Sequence, residues 1–103
     1  MQIIIFITAT NNKEAKSIAQ QLMKNKLVAC VNIVYGIESL FRWKGKVDQA
    51  KEVLLVVKSR KEKLAKIIKL VKSLHSYEVP EIIALPIVGG YKPYLNWIND
   101  STS

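Results

Sequence analysis

The sequence predicts an α+β sandwich with elements in the order strand, helix, strand, strand, helix, strand, closed by a short C-terminal helix. Three observations carry this. Two segments repeat apolar residues at helical spacing, four others are extended runs rich in β-branched side chains, and a Lys44-Gly45 pair joins the two longest runs. With 103 residues and no linker, repeat or low-complexity stretch, the chain is expected to form one domain, 1–103.

Residues 2–10 are β-branched and apolar on both faces, as in a central strand covered on two sides. Asn11 or Asn12 then caps a helix with Glu14 in its first turn, and Ala15, Ile18, Ala19, Leu22 and Met23 form one stripe ending near Asn25. A second extended region runs from about Leu27 through Tyr35, bends or bulges at Gly36, and resumes over residues 38–43. Gly45 supplies the positive φ of a tight hairpin turn, after which residues 47–59 return as a strand. Residues 61–74 read as a helix with Leu64, Ile67, Ile68 and Val71 inward and Lys63, Lys66, Lys69 and Lys72 elsewhere around it. Pro80 stops any continuation, and residues 82–88 give a last strand that Pro86 marks as bulged or at an edge. A short tail, 91–98, follows.

This order is the split-βαβ pattern of the ferredoxin-like fold, with an antiparallel sheet and helices on one face. A strand of ~13 residues spans roughly 43 Å. A globule of this chain length is only about 33 Å across. The hairpin around Gly45 should therefore project beyond its own helices and expose Leu40, Phe41 and Trp43 unless another subunit covers them, so an oligomer is expected.

Composition removes several classes of function. The longest apolar runs, 3–7 and 53–57, are far shorter than a membrane span, and the N-terminus lacks a signal-peptide pattern, so a cytoplasmic protein is expected. One cysteine permits no internal disulfide and no zinc ribbon. The net charge of +8 keeps nucleic acid in view, with a dense run of lysines over residues 58–72. The sheet candidates lack the paired aromatic residues on which RNA-recognition modules stack bases, so no specific nucleic-acid partner is expected.

Two groupings could carry chemistry. His75, Glu78 and Glu81 lie within seven residues, and imidazole with carboxylates suits a divalent transition metal; Cys30 would bias such a site towards copper or zinc. The competing reading makes His75 a helix-terminal residue complementing the macrodipole, the glutamates solvated, and Cys30 packing in an apolar strand. Nucleophilic catalysis by Cys30 with His75 as base needs the two in contact, which nothing in the sequence provides, and neither a Gly-x-Ser-x-Gly elbow nor a phosphate loop is present. No enzyme is expected. The aromatic residues Phe41, Trp43, Tyr77, Tyr91, Tyr94 and Trp97 suit either a cleft or a subunit contact.

Along the whole chain the sequence resembles the CutA divalent-cation tolerance family. The landmarks are Lys26-Leu27-Val28-Ala29-Cys30-Val31-Asn32, Trp43-Lys44-Gly45-Lys46, Glu52 with Lys58, His75-Ser76-Tyr77-Glu78-Val79-Pro80-Glu81-Ile82 and Tyr94-Leu95-Asn96-Trp97-Ile98. The resemblance implies a non-enzymatic homotrimer whose long hairpins pair across subunits, built like PII signalling proteins and linked to tolerance of divalent metals, chiefly copper. It also implies metal ligation by His75 first, with Cys30, Glu78 and Glu81, and an interface cleft containing Trp43, Glu52, Lys58 and Tyr77. The alternative it leaves open is a PII-like scaffold that binds a small ligand or partner protein at such clefts. Two departures stand out: Ser76 occupies the proline position of a His-Pro-Tyr loop, implying a looser loop, and Ile7 and Leu74 occupy positions where some bacterial members carry Cys and a second His, implying weaker copper affinity.

Overall fold

The computed structural model describes all residues, Met1–Ser103. Strands β1 (Gln2–Ala9), β2 (Cys30–Trp43), β3 (Lys46–Arg60) and β4 (Ile82–Pro86) alternate with helices α1 (Asn12–Lys24) and α2 (Leu64–Leu74), and α3 (Lys92–Ser101) closes the chain. A short 3-10 turn, Lys61–Lys63, leads into α2. The strands form one antiparallel sheet in the order β2-β3-β1-β4.

Side-chain alternation explains the layers. Ile3, Ile5 and Ile7 of β1 and Val53, Leu55 and Val57 of β3 point to one face, where they bury against Ala15, Ile18 and Leu22 of α1 and Ile67 and Val71 of α2. The opposite face is only partly covered. Ile4 and Phe6 are half-buried there, and Ile83 and Leu85 of β4 are exposed, so β1 is not sealed on both sides as its composition suggested. Within a single chain α1 and α2 cover one face, and only α3 helps on the other. α3 is tied to the sheet by Gln2 Nε2 donating to Leu95 O at 3.3 Å and by Arg60 Nε donating to Thr102 Oγ1 at 2.8 Å.

Differences at element ends have local causes. Asn11 caps α1 by accepting from Glu14 N at 2.8 Å; Met23 lies outside the buried stripe, as does Ile68 in α2. The β4 ladder ends at Pro86, which has no N–H to donate, and after one further bond from Ile87 N to Gln2 O, Val88 stands in solvent. α3 runs three residues past Ile98 because Ile98 and Thr102 both bury against the sheet end.

The hairpin dominates the outline. Lys44 and Gly45 both take positive φ, 51° and 77°, the two-residue turn whose twist matches the strands it joins, and Trp43 pairs with Lys46. The pairing of β2 with β3 slips between Val34 and Ile37, at Gly36 with φ 71°. Beyond that break β3 has no β1 partner, since the β1 register ends at the Ala9–Val53 pair. The molecule is accordingly elongated, 44 × 26 × 23 Å.

Candidate functional site

The first residue after α2, His75, turns inward, and its side chain is fully buried. Its Nε2 lies 2.7 Å from the carbonyl oxygen of Thr8, and its Nδ1 lies 3.0 Å from the backbone N of Tyr77. A carbonyl only accepts and a backbone N–H only donates, so the ring carries its proton on Nε2 and presents the Nδ1 lone pair to Tyr77. Both nitrogens are thereby occupied. His75 thus neither offers a free lone pair to a metal nor sits at the helix end as a solvated partner of the dipole.

Glu14 completes this joint. Its Oε1 accepts from Thr10 N at 3.0 Å and lies 3.5 Å from His75 Nε2, and its Oε2 accepts from Ser76 N at 3.0 Å. Burial works against the charged carboxylate, but hydrogen bonds from Thr10 and from the hydroxyl and N–H of Ser76, with the nearby His75 ring, outweigh it and hold the Glu14 pKa below its ordinary value. Ser76 Oγ also reaches Thr10 Oγ1 at 3.4 Å. The loosening expected from Ser76 is therefore offset: proline at this position would have no N–H for Glu14.

Cys30 lies elsewhere. It pairs with Lys58 across β2 and β3, and Lys58 pairs with Ile4, four residues along β1 from Thr8, about 13 Å at strand spacing. Its Sγ is 3.8 Å from Lys58 Nζ and 3.9 Å from Asn32 Oδ1, and Lys58 also bonds the Asn32 side-chain oxygen. Burial, then the neighbouring Cys30, pushes the phenol of Tyr94 up. Cys30 and His75 thus belong to separate parts of the sheet, and no three His, Cys, Asp or Glu side chains converge on one point in the chain. The set His75, Cys30, Glu78 and Glu81 does not fit a metal ion within one subunit.

What the fold does build is a broad cleft of about 810 Å³ between the outer hairpin and the loop 76–81. Of the expected interface residues it gathers Trp43, Glu52 and Tyr77 and leaves Lys58 with Cys30. Glu38, Asp48, Glu52, Glu78 and Glu81 all line it, five of the eight acidic side chains of a chain whose net charge is +8, and Arg42 is the one basic residue among them. Glu52 is 6% exposed and forms no salt bridge in the chain. Burial first, then the charge of Glu52, pushes the Tyr77 phenol above its ordinary value. Asp48 escaped notice in the sequence, although its two-residue spacing to Ala50 and Glu52 places all three on one face of a strand. Glu14 was legible only as a first-turn acid, because its partners lie at the end of β1 and past the end of α2.

Comparison with known proteins covers the same span. Residues 3–101 match the family described as CutA1 divalent ion tolerance protein. A divalent-cation tolerance protein CutA of Thermus thermophilus is 43% identical over 102 residues, 99% of each chain, and a chloroplastic Protein CutA of Arabidopsis thaliana is 45% identical over 97% of this chain. The chain spans 55% of the Arabidopsis protein's length and 56% of that of a chloroplastic rice relative. Among solved structures, a divalent cation tolerance protein from Thermus thermophilus superposes with a TM-score of 0.98 at 43% identity, with all of both chains covered. A periplasmic divalent cation tolerance protein CutA from Archaeoglobus fulgidus does so with a TM-score of 0.96 at 45% identity, again with both chains fully covered.

Proposed function

Because the chain belongs to the CutA1 divalent ion tolerance family, we propose that it acts without catalysis, as a ferredoxin-like subunit of a homotrimer that responds to divalent cations, copper first among them. The observation that carries this reading is the acidic cleft: five carboxylates line one broad space beside the hairpin in a chain that is otherwise strongly basic. Such a cleft concentrates cations against the overall field of the protein. Glu78 and Glu81 are the groups that reach a cation, completed by donors from a neighbouring subunit, while His75 positions their loop.

Assembly follows from exposed apolar surface. Leu40, Trp43 and Val47 of the hairpin and Ile83 and Leu85 of the open sheet face lack cover in one chain. A homotrimer buries them. Sedimentation showing a stable monomer at micromolar concentration would end this part of the proposal. No helix is long and apolar enough to cross a membrane. A cytoplasmic location is part of this proposal, although relatives are named chloroplastic or periplasmic; fractionation tests it.

Calorimetric titration with copper and with zinc tests the cleft. Glu78→Gln combined with Glu81→Gln should weaken binding, and an unchanged isotherm would remove both residues from the site. A second, PII-like reading, in which the trimer signals by binding a small organic ligand, is favoured by the cleft volume, which falls in the range of small-molecule sites.

A further inference from the structure

The outer surface of the helix layer carries one sign of charge. At an advance of about 100° per residue, Lys13, Lys16 and Lys24 lie opposite the buried stripe of α1, and Lys66, Lys69 and Lys72 lie opposite Ile67 and Val71 of α2. All are exposed. Neither helix offers them an acid: α2 contains none, and Glu14 of α1 is turned away to hold the N–H groups of Thr10 and Ser76. Lys26 follows α1, Lys61 and Lys63 precede α2, and Glu62 between the last two is taken by the Met1 amino group and Arg60.

Charge arranged in this way works against the fold. Lysines three apart on a helix repel, and Lys61 and Lys63 stand at the positive end of the α2 dipole. A surface that serves solubility alone mixes both signs, and lysine enrichment for heat stability comes with carboxylates in ion-pair networks. Here no lysine of the chain forms an ion pair. The homotrimer proposed above leaves this layer uncovered, because α1 and α2 pack on the face of the sheet opposite Ile83 and Leu85.

We infer that the helix layer binds the phosphate backbone of double-helical DNA without reading its sequence. A length of duplex equal to the 13 residues of α1, about 20 Å, carries about 12 phosphate charges, enough to face the lysines of both helices. Ser17, Gln20 and Ser73 stand among the lysines and add donors of the kind that contact phosphate. No arginine fork reaches for a base edge, and no aromatic ring offers the stacking platform on which single strands are held. No aromatic or leucine side chain stands among these lysines to sink below lipid headgroups, so a duplex fits better than a membrane surface. The inference goes beyond the cation-response reading and does not depend on the cleft.

Fluorescence anisotropy of labelled duplex DNA, titrated with the full-length protein in the presence of chelator, tests it. Two unrelated sequences should bind saturably and equally at about 50 mM salt, with affinity falling about a thousandfold by about 200 mM, as for six phosphate contacts. Lys66→Gln, Lys69→Gln and Lys72→Gln combined should remove about half of the salt dependence, and Lys13→Gln, Lys16→Gln and Lys24→Gln combined should do the same from the other helix. Thermal unfolding verifies that each variant folds. Lys46→Gln, Lys51→Gln and Lys92→Gln remove the same charge away from the layer and should leave the salt dependence unchanged; an equal loss there would reduce the effect to net charge and overturn the inference. Absence of binding at about 50 mM salt would overturn it too. Tighter binding to single-stranded DNA, to duplex RNA or to vesicles rich in phosphatidylserine, run in parallel, would show that duplex DNA is the wrong occupant.

Discussion

The imidazole Nε2 of His75 stands 2.7 Å from the carbonyl oxygen of Thr8, joining the residue after α2 to the end of β1 across 67 positions of sequence. At that point the chain leaves its core and begins the loop that walls the cleft. The joint is therefore where stability and site meet.

His75→Ala leaves the Thr8 carbonyl and the Tyr77 N–H without these partners and opens space in a buried position, and is expected to cost about 2–4 kcal/mol. Denaturant unfolding measures it. A loss near zero would show that the ring is not part of the joint.

Glu14 carries a pH signature. Its folded pKa is below the ordinary 4.5, so its stabilising contribution is complete above the unfolded value and disappears as pH falls through the lower folded value. Unfolding followed from pH 7 downward should show wild-type stability declining below about pH 4.5, as expected when a carboxylate held charged by the fold becomes protonated. Glu14→Gln should be less stable at neutral pH by about 1.5–3 kcal/mol and should lose this part of the slope.

Ser76→Pro sets two effects against each other. His75 is extended, φ −81° and ψ 141°, the backbone that a residue before proline favours, and a stiffer unfolded chain would contribute at most about 0.4–1 kcal/mol. The proline would also remove the N–H held by the Glu14 carboxylate, a bond of roughly 1.5–3 kcal/mol. The loss is larger, and calorimetric melting is expected to show a net destabilisation of about 1 kcal/mol. A raised midpoint would refute this balance.

Gly45→Ala tests the turn. Nothing crowds an added Cβ there, so its cost comes from φ 77° alone, about 1–2 kcal/mol. Deep in the core the reason differs: Leu55→Ala, at a fully buried position, should cost about 2–5 kcal/mol through the cavity it leaves. Thermal melts of the two variants separate backbone strain from packing.

Much of the fold was legible because it is periodic. The stripe Ala15, Ile18, Leu22 and the alternation of Ile3, Ile5 and Ile7 each announce a buried face, and Lys44-Gly45 announces its turn. What periodicity could not tell was whether the far side of β1 is covered, since an apolar face looks the same whether this chain or a neighbour covers it. The site was less legible. His75, Glu78 and Glu81 read as a set because they are close in sequence, but His75 buries inward towards Thr8 while Glu78 and Glu81 line the cleft. The partners that decide the role of His75, Thr8 and Glu14, are more than sixty residues away, beyond the reach of any local pattern.

The register slip at Gly36 divides one pair of strands into two zones of protection. Between Cys30 and Val34 the β2–β3 hydrogen bonds are backed by β1 and the helices, so their amides can exchange with solvent deuterium only when the core opens. From Ile37 to the turn the same ladder has no third strand behind it, and in an isolated subunit its amides should exchange far sooner. A neighbouring subunit laid against the hairpin would slow that outer zone selectively. Deuterium uptake along a single hairpin would then record assembly, with its inner half as the internal clock.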